Sequence, residues 1–423
     1  ARQIFDSRAH PTLEVETEIQ TPCSRAKGVA SVPSGASTGR YEAYELRDHD
    51  DTYHGKNVLK AINGVNGEIY DLLSGQNAQN QLHIDMLLRE LDGTENKSRL
   101  GANAILATSL SIAKACANAY QMPLWRYLGG AYAHIMPVPL MNVINGGAHS
   151  NNQLTLQEFM IVPAGAQSFS DALRMGSEIY HHLYAILQNK GFSCNVGDEG
   201  GFAPNIKTTH EALDLLLQAI DKSGFKAGDE VFLALDCASS EYYHKGRYIL
   251  QGEQLELSSD QHTLWLEQLI KNYPICSIED GCSENDWDGW TSLTDCLGQH
   301  IQLIGDDLFA TNAKRIKTGF EKKAANAVLI KPNQIGTLSE TLETIYTTQN
   351  HGWKAVISHR SGETEDHFIA DLAVACNSKQ VKFGAIARSE RGAKYNQLLR
   401  IEEMLGREAS FAGKDAIKYA PLS

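Results

Sequence analysis

Short apolar runs recur through the second half of the chain, at Val231–Leu235, Ile275–Ile278, Ile301–Ile304, Ala327–Ile330, Ala355–Ile357 and Val381–Ala387, and segments of helical periodicity follow them. That alternation predicts parallel strands covered by helices on one side. All the runs except the last meet a functional-type residue at once or one position later: Asp236, Glu279, Asp306, Lys331 and His359. Polar groups gathered at strand C-termini are what a parallel barrel with its site on that face requires.

Six such units leave two strands to find for an eight-stranded barrel, and Met136–Ile144 and Phe159–Val162 supply them. The connection through Asn145-Gly146-Gly147-Ala148-His149-Ser150 to Gln157 has no helical pattern, so a hairpin is expected and the second strand runs antiparallel to the rest. Only then do His149 and Glu158 reach the same face as the other polar groups. Two helices follow, Ser168–Lys190 and Thr208–Ser223, and parity puts the loop with Asp198-Glu199-Gly200-Gly201 on that face too. The predicted order is ββαα(βα)6.

Ahead of the barrel, residues 11–33 alternate like short strands and residues 56–121 turn helical, ending in the small-residue stretch Ala102–Ala119. The fold class is therefore α/β: an N-terminal α+β domain, 1–128, and a barrel domain, 129–423, with no Pro/Gly/Ser-rich linker between them.

Composition narrows the function classes. A net charge of −13 and the absence of basic runs interleaved with aromatics argue against nucleic acid. No segment approaches the ~20 apolar residues that span a bilayer. Eight cysteines without a CxxC pair fit reduced thiols and a cytoplasmic setting. The start, Ala1-Arg2-Gln3, carries neither a signal region nor an initiator Met, so residues precede it or the end has been processed.

Three carboxylates converging at successive strand ends, Asp236, Glu279 and Asp306, call for a hard cation such as magnesium, although each taken singly reads more readily as a solvated acid. Lys331 emerges from apolar barrel wall. It becomes a base if burial or nearby positive charge, from metal ions or Lys394, lowers its pKa; otherwise it pairs with one of the acids. His359-Arg360-Ser361 offers adjacent donors for an anionic oxygen. Ser34-Gly35-Ala36-Ser37-Thr38-Gly39 is a loop whose glycines permit close approach to a phosphate, and little packing is expected of it. His149 is a lid residue or an ordinary loop histidine.

With Asp92-Gly93-Thr94-Glu95-Asn96-Lys97, Val196-Gly197-Asp198-Glu199-Gly200-Gly201, Asn333-Gln334-Ile335-Gly336 and Ser358-His359-Arg360-Ser361-Gly362-Glu363-Thr364 in the same order, the chain from Arg2 to about Gly406 resembles the enolase family. The resemblance implies the reversible dehydration of 2-phosphoglycerate to phosphoenolpyruvate with two magnesium ions per active site. In that scheme Asp236, Glu279 and Asp306 hold the first ion and Ser37 joins the second. Lys331 is the base and Glu199 the acid; Glu158, Lys394, His149 and His359 surround the substrate, and Arg360 and Ser361 hold its phosphate. A homodimer is also implied, with Arg2 and Glu14 in the contacting segment.

The sequence departs from the family pattern at Ala9-His10, at Pro332 and at Cys282-Ser283. Two other readings compete. A racemase or cycloisomerase would share the barrel and its carboxylates but not the phosphate-type loop, and a purely binding protein would not need the catalytic residue set.

Overall fold

The computed structural model describes residues 1–22, 24–36 and 39–422; Ser37 lies outside the described residues. Three antiparallel strands, β1 (Arg2–Phe5), β2 (Pro11–Gln20) and β3 (Arg25–Ser31), form the N-terminal sheet in that order. Helices α1 (Gln81–Asp92) and α2 (Ala102–Ala119) belong to the same unit. Nearly every residue of α2 is buried, because its alanines and serines let the helix lie tight on the sheet. Gly28 shows how tight: a Cβ there would sit 2.1 Å from the Ser111 carbonyl oxygen.

The barrel has the expected order. Strands β4 (Val138–Asn145) and β5 (Glu158–Val162) form a hairpin, and helices α3 (Phe169–Asn189) and α4 (Thr209–Lys222) follow, each capped by the residue before it, Ser168 and Thr208. Six strand–helix units complete it: β6 (Phe232–Asp236) with α5 (Ser259–Asn272), β7 (Ile275–Glu279) with α6 (Trp287–Leu297), and β8 (Gln302–Gly305) with α7 (Ala313–Lys322). The remaining three are β9 (Ala327–Ile330) with α8 (Leu338–Asn350), β10 (Lys354–Ser358) with α9 (Phe368–Ala375), and β11 (Gln380–Lys382) with α10 (Ser389–Leu405). Hydrogen bonding closes the ring, with β5 antiparallel to both neighbours. Gln302 and Gln380 exchange side-chain hydrogen bonds of 2.9 and 2.8 Å inside it.

One strand is shorter than its apolar run. The run Val381–Ala387 is strand only as far as Lys382, and the chain then turns away through Gly384 at φ +78°. Lys382 is therefore a strand-end residue, like Asp236 and Glu279.

The N-terminal unit sits on the C-terminal ends of the barrel strands. Ser34 and Gly362 exchange backbone hydrogen bonds of 2.8 and 2.9 Å, Ser7 N–H donates to the Glu363 carbonyl, and Ala43 N–H donates to the Gln334 carbonyl. Lys114 joins Asp366 at 2.6 Å.

The three unusual sequence positions are accommodated. Ala9 adopts φ +60° in a turn whose neighbours, the Arg8 and His10 N–H groups, both donate to Asp6 Oδ1. Pro332 opens a four-residue helix, Pro332–Ile335, at the position where no N–H is needed, and Lys331 before it has the extended backbone that a following proline demands. Cys282 is buried, and burial pushes its thiol up and away from reactivity.

Beside Cys282 a ring cluster supports the loop after β7. His262 stacks on Tyr248 at 4.3 Å, and the Tyr248 hydroxyl donates to Asp286 and accepts from Ser283 N–H. Burial pulls His262 from 6.5 down to about 3. The unfolded chain therefore binds a proton that the folded chain refuses, and stability is full above pH 6.5 and falls as pH drops from there toward 3. Urea unfolding should show the protein losing about 2 kcal/mol more between pH 7 and pH 5 than a His262→Gln variant does. Parallel stability curves for the two proteins would rule this out.

Candidate active site

The strand register explains the acidic side of the barrel mouth. Glu158, Asp236 and Glu279 are direct neighbours across β5, β6 and β7, so three buried carboxylates stand side by side. One cation meets all three. Lys382 Nζ lies 2.8 Å from Glu279 Oε1 and 3.1 Å from both Asp236 Oδ2 and Glu158 Oε1. Burial pulls this ammonium down, but the surrounding carboxylates outweigh burial and hold it well above the usual lysine range.

A second pair stands beside the first. Lys331 Nζ is 2.5 Å from Asp306 Oδ2, and Gln334 Nε2 donates to Asp306 Oδ1 at 2.9 Å. Burial lowers Lys331, and the Asp306 charge more than restores it, so the ammonium form is favoured. Asp280 orients this corner, its two carboxylate oxygens accepting the Asp306 and Asp307 N–H groups.

Negative charge is still in excess. The pocket is lined by seven carboxylates and only three permanent cations, Lys331, Arg360 and Lys382. Burial, reinforced by the neighbouring acids, pushes Glu279, Asp280, Asp307 and Glu158 well above the usual carboxylate range.

His149, Glu199 and His359 complete the lining of the pocket. His149, Glu158 and Glu199 offer ligand-type atoms within 4.8 Å of one another, and His359 Nε2 is 3.3 Å from Glu199 Oε2. Burial pushes His359 down to about 4, leaving a neutral ring. Burial pulls Glu199 upward, but His359 and His149 outweigh burial and hold the carboxyl well below the usual carboxylate range. His149 Nδ1, Glu158 Oε2, Glu199 Oε2 and His359 Nε2 are buried without a hydrogen-bond partner among the described residues. Four such atoms around one pocket are what a polar guest would satisfy. Ser361 Oγ reaches His149 Nε2 at 3.3 Å.

Of the residues singled out in the sequence, Lys331, Glu199, Asp236, Asp306, His149, Glu158, His359, Arg360 and Ser361 line this single pocket, and Glu279 is tied to it through Lys382. Asp306 turns to Lys331 while Asp236 and Glu279 turn to Lys382, giving two ion-paired groups at one mouth. Lys394 is not brought to the pocket. It lies on α10, fully buried, 2.9 Å from Glu363 Oε2 and donating to the Thr364 carbonyl at 2.6 Å. The second lysine at the mouth is Lys382, which the sequence reading passed over because it lay inside an apolar run taken to continue to Ala387. Glu42 was also missed: it reaches from the N-terminal unit to Arg360 at 2.7 and 3.2 Å.

Models of protein families match both parts of the chain. One described as the enolase N-terminal domain covers residues 1–128, and one described as the enolase C-terminal TIM barrel domain covers 133–420. The chain belongs to the enolase family. Enolase-type dehydration, a lyase reaction dependent on a metal, is the activity that membership supports. The donor set fits such a metal: hard carboxylate oxygens in excess, several destabilised by one another, suit a hard divalent cation. No helix among the described residues is long and apolar enough to cross a membrane.

If Lys382 balances the acidic wall of this pocket, Lys382→Met should lower stability by about 3–5 kcal/mol in the presence of chelator, since three buried carboxylates lose their shared partner. Urea denaturation decides it. An unchanged midpoint and slope would show that the carboxylates are balanced by something else.

Proposed function

We propose that the chain catalyses the reversible dehydration of 2-phospho-D-glycerate to phosphoenolpyruvate in glycolysis and gluconeogenesis. The observation that carries this reading is that a largely enclosed lysine, Lys331, and a buried carboxylate, Glu199, share one pocket with Arg360 and Ser361, the donors suited to a phosphate. Lys331 takes the proton beside the substrate carboxylate. Glu199, which His359 and His149 hold ionised without substrate, gains a proton in the loaded pocket and supplies it to the departing hydroxyl. Removing a proton next to a carboxylate creates a dianion, and Lys382 and Lys331 bring positive charge to where it develops. A lysine base with one or two magnesium ions is the general pattern for this superfamily.

Asp236, Glu279 and Asp306 would hold one magnesium ion, and Ser37 is assigned to a second by family resemblance. Magnesium held there would supply positive charge toward the dianion, and Asp306, engaged as a ligand, would hold Lys331 less firmly. Absorbance growth from 2-phosphoglycerate should accordingly vanish with chelator and return with magnesium.

The roles separate in two variants. Lys331→Ala should abolish exchange of the C2 proton of 2-phosphoglycerate with heavy water as well as turnover. Glu199→Gln should lose turnover by ~10²–10⁴-fold while still exchanging that proton. The opposite pattern, with both proteins binding magnesium and substrate by calorimetry, would reverse the assignment.

The same reading includes a cytoplasmic homodimer. Its support is the N-terminal edge: Phe5 is 56% exposed in a groove shared with Glu14, Val29 and residues 363–367. Symmetric pairs are the commonest assembly. Sedimentation at micromolar concentration should give twice the 46.5 kDa chain mass, and a monomer mass would reject it.

A further inference from the structure

Arg391 is completely buried, yet its nearest carboxylate, Glu390, is 3.5 Å from Nε. Its guanidinium points instead at three backbone carbonyls and one ring nitrogen. Nη1 donates to the Arg360 carbonyl at 2.5 Å and to His359 Nδ1 at 2.7 Å; Nη2 donates to the Asp198 carbonyl at 2.9 Å and to the Ser361 carbonyl. These carbonyls belong to the two loops that deliver Glu199, His359 and Ser361 to the pocket. A buried cation held mainly by dipoles carries a large desolvation cost that a facing carboxylate would offset better. Its geometry therefore asks for another reason.

A guanidinium has N–H donors and no acceptor. His359 Nδ1 must then be the acceptor, and a neutral ring carries its hydrogen on Nε2. We propose that Arg391 is a positioning residue that fixes His359 as an Nε2–H donor in the pocket, on the side of Glu199 and available to the substrate. The alternative tautomer would direct a lone pair at the Glu199 carboxylate, two acceptors 3.3 Å apart, and would offer nothing to an anionic substrate. Burial of the ring, which keeps it neutral, makes the choice of tautomer matter. The His359 ring is also packed against Gly384, where a Cβ would lie 2.8 Å from its Cε1, so it has little freedom to turn.

This inference uses the proposed roles of Glu199 and substrate only for its kinetic consequence; the tautomer itself is read without any reaction. Nitrogen-15 spectra of the histidine-labelled wild-type protein, with the His359 signals assigned by their loss in His359→Gln, should show Nε2 protonated and Nδ1 bare at pH 7. The reverse tautomer overturns the proposal whatever the variants do. Arg391→Met leaves three backbone carbonyls without their donor and should lower the unfolding midpoint, shift His359 toward the other tautomer or a mixture, and lower kcat by about tenfold or more with KM changing less. Arg391→Lys, which keeps a donor in place, should recover part of both the tautomer signal and kcat. An Arg391→Met protein that keeps Nε2–H and full kcat overturns the proposal. If Arg391→Met does not fold, the wild-type spectrum and Arg391→Lys decide. A normal tautomer result with no turnover of 2-phosphoglycerate by the wild-type protein would instead fault the proposed substrate.

Discussion

Buried negative charge is the constraint around which the barrel mouth is arranged. Each carboxylate taken from water is destabilised, and placing Glu158, Asp236 and Glu279 in direct register multiplies that effect. Two lysines offset part of it, Lys382 for the group of three and Lys331 for Asp306. Neither is spare: in the absence of further positive charge each ammonium is held in its protonated form by the acids it neutralises. A divalent cation and a lysine base are in this sense competing answers to the same excess, and a site that needs a neutral lysine must find its positive charge elsewhere.

That clustering depends on one topological irregularity. In an all-parallel barrel the first residue of a strand lies on the face opposite the last, and Glu158 could not meet Asp236. Because β4 and β5 form a hairpin, β5 runs backwards and its first residue pairs with the final residue of β6. The same reversal makes α3 run back toward the mouth, so that the loop after it carries Glu199 there. Phe202 bonds to Val143 and Asn145 of β4, fixing that loop against the barrel rim.

Most of this was legible in the chain because periodicity and parity are robust to small errors of boundary. The strand ends at Asp236, Glu279, Asp306, Lys331 and His359 followed from apolar runs that stop abruptly. Lys382 was not found because Val381, Phe383, Ala385, Ile386 and Ala387 continue the apolar pattern past the end of hydrogen bonding, and the turn at Gly384 was read as part of the strand. A lysine inside an apolar run was itself the signal, since a buried ammonium requires partners. Lys394 illustrates the converse: proximity in sequence to a site says little about where a helix places a side chain, and here the helix aims it at Glu363 and Thr364. The Arg391 and Glu42 contacts join segments far apart in the chain, and no local pattern encodes them.

The contact between Glu42 and Arg360 ties domain docking to the electrostatics of the mouth. Glu42 occupies both terminal nitrogens of the guanidinium and also accepts the Gly39 N–H at 2.9 Å, so one carboxylate links the N-terminal unit to an arginine of the barrel. Glu42 gives this buried guanidinium its anionic partner from outside the barrel. An anion arriving at the same nitrogens would have to share or displace it, and whatever displaced Glu42 would also alter the segment that Gly39 anchors. By reciprocity, anything that moved that segment would change the affinity of Arg360 for anions by the same factor. The N-terminal unit is in this way part of the site's charge balance as well as its cover.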